Sequence, residues 1–461
     1  MIKALQCFFK RIPNKFIFYC SLLGVLTLSL SSYYLSNSAT NHTISNQISA
    51  IGFYTMAQYS LMTLLMLLAW QSSPQSSKLL DYRWLLFIAV IARIALFDIQ
   101  PYTSNDVDRY LFDGRIAIEG LDPYRVSHNA PELKELREQW QPPAEHAKYV
   151  TLYPPLALAF FSIAASTGLD NAVIAWKLIL LSAGLITLWL TAKVLQHANK
   201  LEHIALVALS PLLILETSVG LHLDTLSTLA IIGAIYCWQR HWLARAGLAI
   251  GLGALIKVLP LMLLLPLVFT LKNMKQVVTL VMAAIVTIIT IYLFAVGIGL
   301  HPVGSIEIFF EKWRFGAPLF VLLDNFFSGQ QILGIMLGLS TLLCSVTAYV
   351  CWCYRQSLNN NYVLLFGAMQ LVVALPLIMS PVTFPWYLMP LVPLMALYPN
   401  RYLIIWTLLM PLTYEVLGQF ICCQVWQPAQ WPLWVIGLLQ LSALFALINY
   451  CYRVLPKRID N

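Results

Sequence analysis

Apolar residues run along this chain in blocks of roughly bilayer-spanning length, closed by short polar segments that often carry a lysine or arginine. Read by length, the blocks predict membrane-spanning helices at about 16–36, 47–70, 84–98, 171–195, 203–219, 223–239, 276–299, 329–353, 362–380, 386–399, 402–420 and 433–452. Two apolar stretches do not fit as simple crossings. Tyr153 to Thr167 is short and opens with Pro154-Pro155, and Ala246 to Thr270 is interrupted by Lys257 and Pro260. Both ends of the second stretch are positively charged, so it is predicted as two short helices that re-enter from the cytoplasmic side. On that reading Lys257 snorkels its ammonium back to the interface. Every backbone N–H and C=O inside a bilayer needs an internal partner, so helices are the default, and the alternation of a β-barrel is missing. The expected fold class is an all-α polytopic integral membrane protein of about twelve helices with short re-entrant pieces. One domain covers 1–461, since no internal repeat, Gly/Ser linker or low-complexity tract divides it.

Composition agrees: 59% of the residues are hydrophobic, the mean hydropathy is +0.74 and only 10% are charged, more apolar surface than a soluble domain could bury. The net charge of +8 could point to nucleic acid, but its placement argues against such a partner. Lys3, Lys10, Arg11 and Lys15 precede the first block, and Arg453, Lys457 and Arg458 follow the last. Lys78, Arg83, Lys193, Lys200, Arg240, Arg245, Lys272, Lys275, Arg355 and Arg401 fall between blocks. This is the positive-inside pattern, with both termini cytoplasmic and the protein in the cell inner (plasma) membrane. The run from Phe16 to Leu35 is long for a signal-peptide core and is read as an uncleaved first span. The nine cysteines show no CxxC pair, and Cys422-Cys423 is read as apolar packing rather than a disulfide. The Asn41-His-Thr43 sequon is a common chance match.

On this topology the unusual polar residues collect on the outer face, in segments 99–152, 220–223, 300–328 and 381–385, with a smaller one at 421–432. The loop 99–152 is too long for a passive connection. It carries Ser104-Asn-Asp-Val-Asp-Arg-Tyr-Leu-Phe-Asp-Gly-Arg115. Helix-start chemistry at Thr103–Asp106 and stop chemistry at Gly120 and Pro123 predict a short helix from about Asp106 to Glu119. Helical spacing puts Asp106, Arg109, Tyr110 and Asp113 on one face, and Asp108, Phe112 and Arg115 roughly opposite. The plain reading of these acids is a capped helix whose dipole they complement. That accounts for one or two carboxylates, but not for the aromatics that follow through Tyr124 and Tyr153. An outward-facing carboxylate could instead act as a general base toward a sugar hydroxyl, kept ionised by the helix N-terminus. Cations nearby could stabilise a departing phosphate, and aromatic faces could pack on a sugar.

The series Ser104-x-Asp106-x-x-Arg109-Tyr110-Leu-x-Asp113-Gly114-Arg115, Gly120-x-x-Pro123-Tyr124 and Tyr153-Pro-Pro155 resembles bacterial polyprenyl-phosphate-sugar-dependent glycosyltransferases of the GT-C fold, among them polyprenol-phosphate-mannose-dependent mannosyltransferases. Three later segments add to it: Ser210–Glu216 with His222-Leu-Asp224, Gly251–Lys257, and Ser380–Tyr387. Lys312-Trp-Arg-Phe315 also resembles the family's outer loop. Together the matches span residues 100 to 390. The resemblance implies transfer of a sugar from a lipid-phosphate carrier to an acceptor on the outer side, with Asp106 as base. One position departs: Phe112 stands where the family often has tryptophan.

Among the other candidates, Glu216, His222 and Asp224 surround an outward turn after a span. His222 is either a satisfied helix-end residue or a ligand of donor phosphate or acceptor sugar. Ionisable groups at membrane depth are functional suspects, which raises Glu216, while Arg93 reads as a structural partner of an acid or a backbone carbonyl. Lys312 and Arg314 suit the carrier phosphate, and Pro385-Trp386-Tyr387 suits a lipid path or an interfacial anchor. Asp106-Val-Asp108 has the look of a DxD motif, so a divalent cation could bind, but a monophosphate leaving group needs none and no metal is expected to be obligatory. The expected function is an inverting transfer of mannose or another hexose from a polyprenyl-phosphate carrier to a glycan or glycolipid acceptor on the outer (periplasmic) face. Asp106 is the base. Asp108, Arg109, Tyr110, Asp113, Arg115, Tyr124, Glu216, His222, Asp224, Lys312 and Arg314 are the candidates for binding donor or acceptor. The rival is a transporter or flippase of lipid-linked saccharides, for which an inverted repeat is the usual signature and is not visible here. A second rival is a structural subunit in which Asp106 only caps a helix.

Overall fold

The computed structural model describes residues 13–40, 45–73, 79–305, 308, 311–356, 358, 362–423 and 425–454. Lys3, Lys10, Arg11, Lys78, Lys457 and Arg458, which carry part of the charge pattern, and the Asn41 sequon lie outside them. The described residues are all-helical, as the hydropathy blocks predict, and β pairing among them is confined to one parallel bridge between Phe315 and Val382. Six stretches are long and apolar enough to cross a bilayer: Asn14–Ala39, Ala50–Ser72, Leu169–His197, Met274–Gly297, Gly329–Cys353 and Arg401–Cys423. A seventh results if Leu201–Ala208 and Pro211–Ser218, bent by 41°, are one span.

Proline interrupts several of the predicted crossings. The stretch 203–219 breaks at Pro211, while 402–420 passes through a 3-10 turn at Pro411, Met410–Val416, and remains long enough to cross. The stretch 386–399 is a 3-10 turn, Pro385–Leu388, followed by a short helix, Leu391–Leu397. A proline has no N–H to give the preceding turn, so each starts a new segment. Irregular backbone of this kind survives in a membrane protein only where protein or water covers it.

The bundle is built on α1 (Asn14–Leu30), which packs along α2 (Ser45–Ser72), and on α3 (Leu79–Ile94) beside them. Buried Arg93 of α3 donates to the carbonyls of Ala89 at 2.8 Å and Ala208 at 3.0 Å. It thereby satisfies a carbonyl left open where the 201–208 helix stops, the structural role expected of it.

The outer loop then forms α4 (Asp106–Ile118), within a residue of the predicted limits, lying on α5 (Pro155–Ala165). Contact is close because Gly114 faces the chain of α5: a Cβ at 114 would collide with the Phe161 backbone. Gly114→Val is therefore expected to push α4 off its support and destabilise the protein by about 1–3 kcal/mol. Thermal unfolding in detergent measures this, and an unchanged midpoint would show that the two helices are not held together. The far side of α4 is covered as well, because Phe112 and Ile116 are buried with Leu133 of the same loop. The ring of Phe112, where tryptophan was the family expectation, packs edge-on against His128 with centroids 4.8 Å apart.

The long α6 (Leu169–His197) leads to α7 (Pro211–Ser218) and α8 (Asp224–Gln239). Next comes the interrupted stretch, with α9 (Leu243–Ala254) packed between α8 and α10 (Met274–Gly297) and a return through Leu259–Leu263 and Leu264–Val268. Two short pieces meet at a turn as expected, with Lys257 in the turn. The sequence reading of Lys257 as a snorkelling residue is wrong. Its ammonium lies 2.6 Å from Asp224 Oδ1, inside the protein. Cys422 and Cys423 form a disulfide, which also corrects the packing reading.

Candidate active site

Ser104 supplies the first part of the site. Its hydroxyl accepts a hydrogen bond from the Asp106 backbone N–H at 3.0 Å, so the local capping falls to Ser104. The Asp106 side chain is left free for other partners and is 21% exposed. Tyr110, one turn on, donates to Asp106 Oδ2 at 3.4 Å, and its ring stacks on Phe161. Arg109 is buried, with its guanidinium 5.6 Å from the centre of the Tyr153 ring and its charge within reach of Asp106 and Asp113.

A tight turn between α7 and α8 brings the second part. Leu221 adopts a φ of 55°, unusual for a residue with a branched side chain, and its carbonyl accepts from Trp176 Nε1 at 2.9 Å. Gly220 precedes it because nothing larger fits: a Cβ there would stand 2.5 Å from Glu216 Oε2 and 2.7 Å from His222 Cδ2. The turn folds the His222 ring back between two carboxylates. Its Nδ1 is 3.5 Å from Asp106 Oδ2 and its Nε2 is 3.6 Å from Glu216 Oε2. The ring lies flat on Trp386, with centroids 3.7 Å apart and planes 8° apart, and Trp386 in turn stacks on Phe384. Glu216 Oε1 accepts from Tyr59 at 2.7 Å and from Tyr414 at 2.5 Å.

The third part is the turn at Lys257. Its ammonium joins Asp224 and sits 3.4 Å above the centre of the Tyr387 ring. Asp106, Asp224 and Lys257 act electrostatically on one another. Burial raises the Asp106 carboxyl above its ordinary range, against the opposing pull of Arg109 and Lys257. Desolvation thus outweighs the cations and the Ser104 hydrogen bond that favour the ionised form, whereas the helix N-terminus was expected to keep it ionised.

Of the candidates read from sequence, Asp106, Arg109, Tyr110, Glu216, His222 and Asp224 converge here. The others lie elsewhere. Asp108 is exposed on α4 and makes no contact with His222, although its carboxylate is still within electrostatic reach of Asp106. Among the described residues no group of three or more His, Cys, Asp and Glu side chains is arranged to hold a metal. Asp113 is fully buried 2.6 Å from His128 Nε2, a pair that fastens the outer loop to α4. Arg115 pairs with Glu119 and lies over Trp140. Tyr124 donates to the Tyr153 carbonyl at 2.8 Å, which also holds the loop together. Lys312 is exposed, and Arg314 donates to the Trp313 carbonyl and lies 4.4 Å from the Phe320 ring centre, beside a small cavity it shares with Glu415.

Sequence reasoning did not single out Tyr59 and Tyr414, which lie in ordinary apolar blocks. It gave Lys257 the wrong direction, although a lone charge within an apolar run was the available signal. Trp386 and Tyr387 were weighed as lining a lipid path or as interfacial anchors, and they line the cluster.

Comparison with known proteins places these residues in context. Alpha-(1→6)-mannopyranosyltransferase A of Corynebacterium glutamicum is 25% identical over 164 residues, which is 34% of this chain and 32% of that protein. No solved structure matches. The family model described as the N-terminal domain of alpha-(1→6)-mannopyranosyltransferases matches residues 19–273, a stretch that includes Asp106, Glu216, His222, Asp224 and Lys257. With more than half of its length matched and this cluster inside the match, the chain belongs to the alpha-(1→6)-mannopyranosyltransferase family.

Proposed function

We propose that the protein is a GT-C-type inverting glycosyltransferase of the inner membrane. It takes mannose or another hexose from a polyprenyl-phosphate carrier and attaches it to a glycan or glycolipid acceptor at the outer (periplasmic) face, with both termini cytoplasmic. The single observation that carries the reading is the convergence of Asp106, His222, Glu216, Asp224 and Lys257 in one aromatic-lined interior, with the Asp106 side chain partly exposed. Burying so many ionisable groups is costly for stability alone, and such clusters mark functional sites.

In the proposed reaction Asp106 takes the proton of the acceptor hydroxyl. The oxygen attacks the anomeric carbon as the bond from that carbon to the carrier phosphate breaks on the opposite side. One displacement inverts the centre. Lys257 and Arg109, whose charges reach Asp106, are the cations assigned to the phosphate as its negative charge grows. Tyr153 and Tyr387, held under those cations, offer ring faces to the sugar.

The raised Asp106 carboxyl gives a pH prediction. A base works deprotonated, so turnover is lost as pH falls through its pKa. The acid limb of kcat/KM is therefore expected above the ordinary carboxylate value of about 4. A limb at or below that value would remove Asp106 from the role.

The direct test uses membranes from expressing cells supplied with radiolabelled polyprenyl-phosphate mannose. Transfer of label to endogenous glycan or glycolipid is the expected result. Movement of intact labelled lipid across vesicles without transfer would establish the flippase reading instead.

A further inference from the structure

We propose that Glu216 is the terminal acceptor of a proton relay running from Asp106 through His222, a reading that rests on the glycosyltransferase function above. His222 is fully buried between the two carboxylates, and each ring nitrogen faces one of them, at 3.5 Å and 3.6 Å. Those separations are a few tenths of an ångström beyond hydrogen-bond length, and catalytic contacts commonly tighten when substrate binds. Both ring nitrogens and Glu216 Oε2 are buried and take no hydrogen bond from any other protein group. Three adjacent buried polar atoms left open by the protein itself are unusual and call for an explanation.

Three features aim the line. Trp386 stacks on the imidazole and fixes its plane. Tyr59 and Tyr414 both donate to Glu216 Oε1, which leaves Oε2 as the oxygen free to receive a proton from His222. Gly220 leaves the gap between Glu216 and His222 unfilled. The charges facing the line are Asp224 with Lys257 from α8 and the interrupted stretch, and Arg109 from α4.

The acceptor O–H bond breaks and its proton goes to an Asp106 oxygen while the new bond to the anomeric carbon forms. That proton moves to His222 Nδ1, and the proton on Nε2 moves to Glu216 Oε2. Asp106 is ionised again, His222 is neutral in its other tautomer, and Glu216 is protonated while still accepting from both tyrosines. After the products leave, the proton returns by the same path from Glu216 through His222 to Asp106, which is partly exposed and passes it to water, so all three groups are restored. The relay carries the proton away from the leaving phosphate.

Glu216 does not touch substrate on this scheme, so the test must separate proton transfer from architecture. Glu216→Gln keeps the acceptor for the two tyrosines and removes the basic oxygen. It is expected to lower kcat about tenfold or more with donor KM within about twofold, and His222→Gln to do the same. Because both break one chain, the double variant should be no slower than the slower single variant. A folded Glu216→Gln enzyme with wild-type kcat overturns the relay, and so does a double variant whose losses multiply. Wild-type turnover in H2O–D2O mixtures decides the matter if either variant fails to fold. A bowed dependence on deuterium content supports several protons in flight, and a straight line overturns them. An active wild type with an inactive Asp106→Asn and a normal Glu216→Gln rejects the relay alone. A wild type that transfers no sugar rejects the function on which it rests.

Discussion

Asp106→Asn lowers sugar transfer by about 10²–10⁴-fold, the usual weight of a positioned general base. That range corresponds to about 3–5 kcal/mol of transition-state stabilisation. Asparagine has nearly the shape of aspartate, and the helix start is held by Ser104, so the fold should survive. Removal of a carboxylate that sits unusually protonation-prone in a buried cluster should not cost stability. Asp108→Asn is the matched comparison, since its side chain is exposed and it makes none of the contacts that Asp106 makes with Tyr110 and His222. The comparison is made at equal amounts of folded protein, by initial rates with labelled polyprenyl-phosphate mannose. Equal losses in the two variants would mean that the pair acts together, and an active Asp106→Asn would leave the carboxylate as a helix-end residue.

Lys257→Met is expected to abolish transfer and also to destabilise the protein, by about 3–5 kcal/mol as for other broken buried pairs. The cost arises at the partner. Asp224 is fully buried, its Oδ2 already lacks a hydrogen bond, and loss of the ammonium would leave its charge unpaired. Adding Asp224→Asn to Lys257→Met removes that charge, so the double variant should regain most of the stability and none of the activity. Thermal unfolding in detergent and the transfer assay read the two effects separately. If Lys257→Met melts and turns over like the wild type, the ammonium faces the membrane surface after all. If the double variant recovers activity along with stability, Lys257 serves the fold and not the carrier phosphate.

Several features of the protein could be read without coordinates because they depend on neighbours close in sequence. Apolar blocks separated by cationic loops require a helical membrane protein, since a bilayer offers no partner for open backbone. The limits of α4 follow from Ser104–Asp106 at one end and Gly120 at the other, and the spacing of Asp106, Arg109, Tyr110 and Asp113 follows from the helical repeat. Arg93 could be assigned to an acid or a backbone carbonyl because a buried guanidinium needs acceptors, and the carbonyls of Ala89 and Ala208 are the ones it meets.

Other features depend on contacts between distant segments. Hydropathy sums over a window and misses the prolines that turn single apolar blocks into broken pieces. The wheel gave Phe112 a face but not the cover that Leu133 supplies. Above all, Lys257, Glu216 and Trp386 belong to separate apolar or interfacial stretches: Lys257 and Trp386 each taken alone have an ordinary reading, and Glu216 is suspect by its depth but without a partner. What the sequence determined is the helical, membrane-embedded character of the chain and the polar outer helix, both consequences of short-range periodicity and solvation. The tertiary structure alone decided that Lys257 turns inward to Asp224 and that His222 stands between Asp106 and Glu216, because a buried charge takes whatever partner the folded chain brings to it.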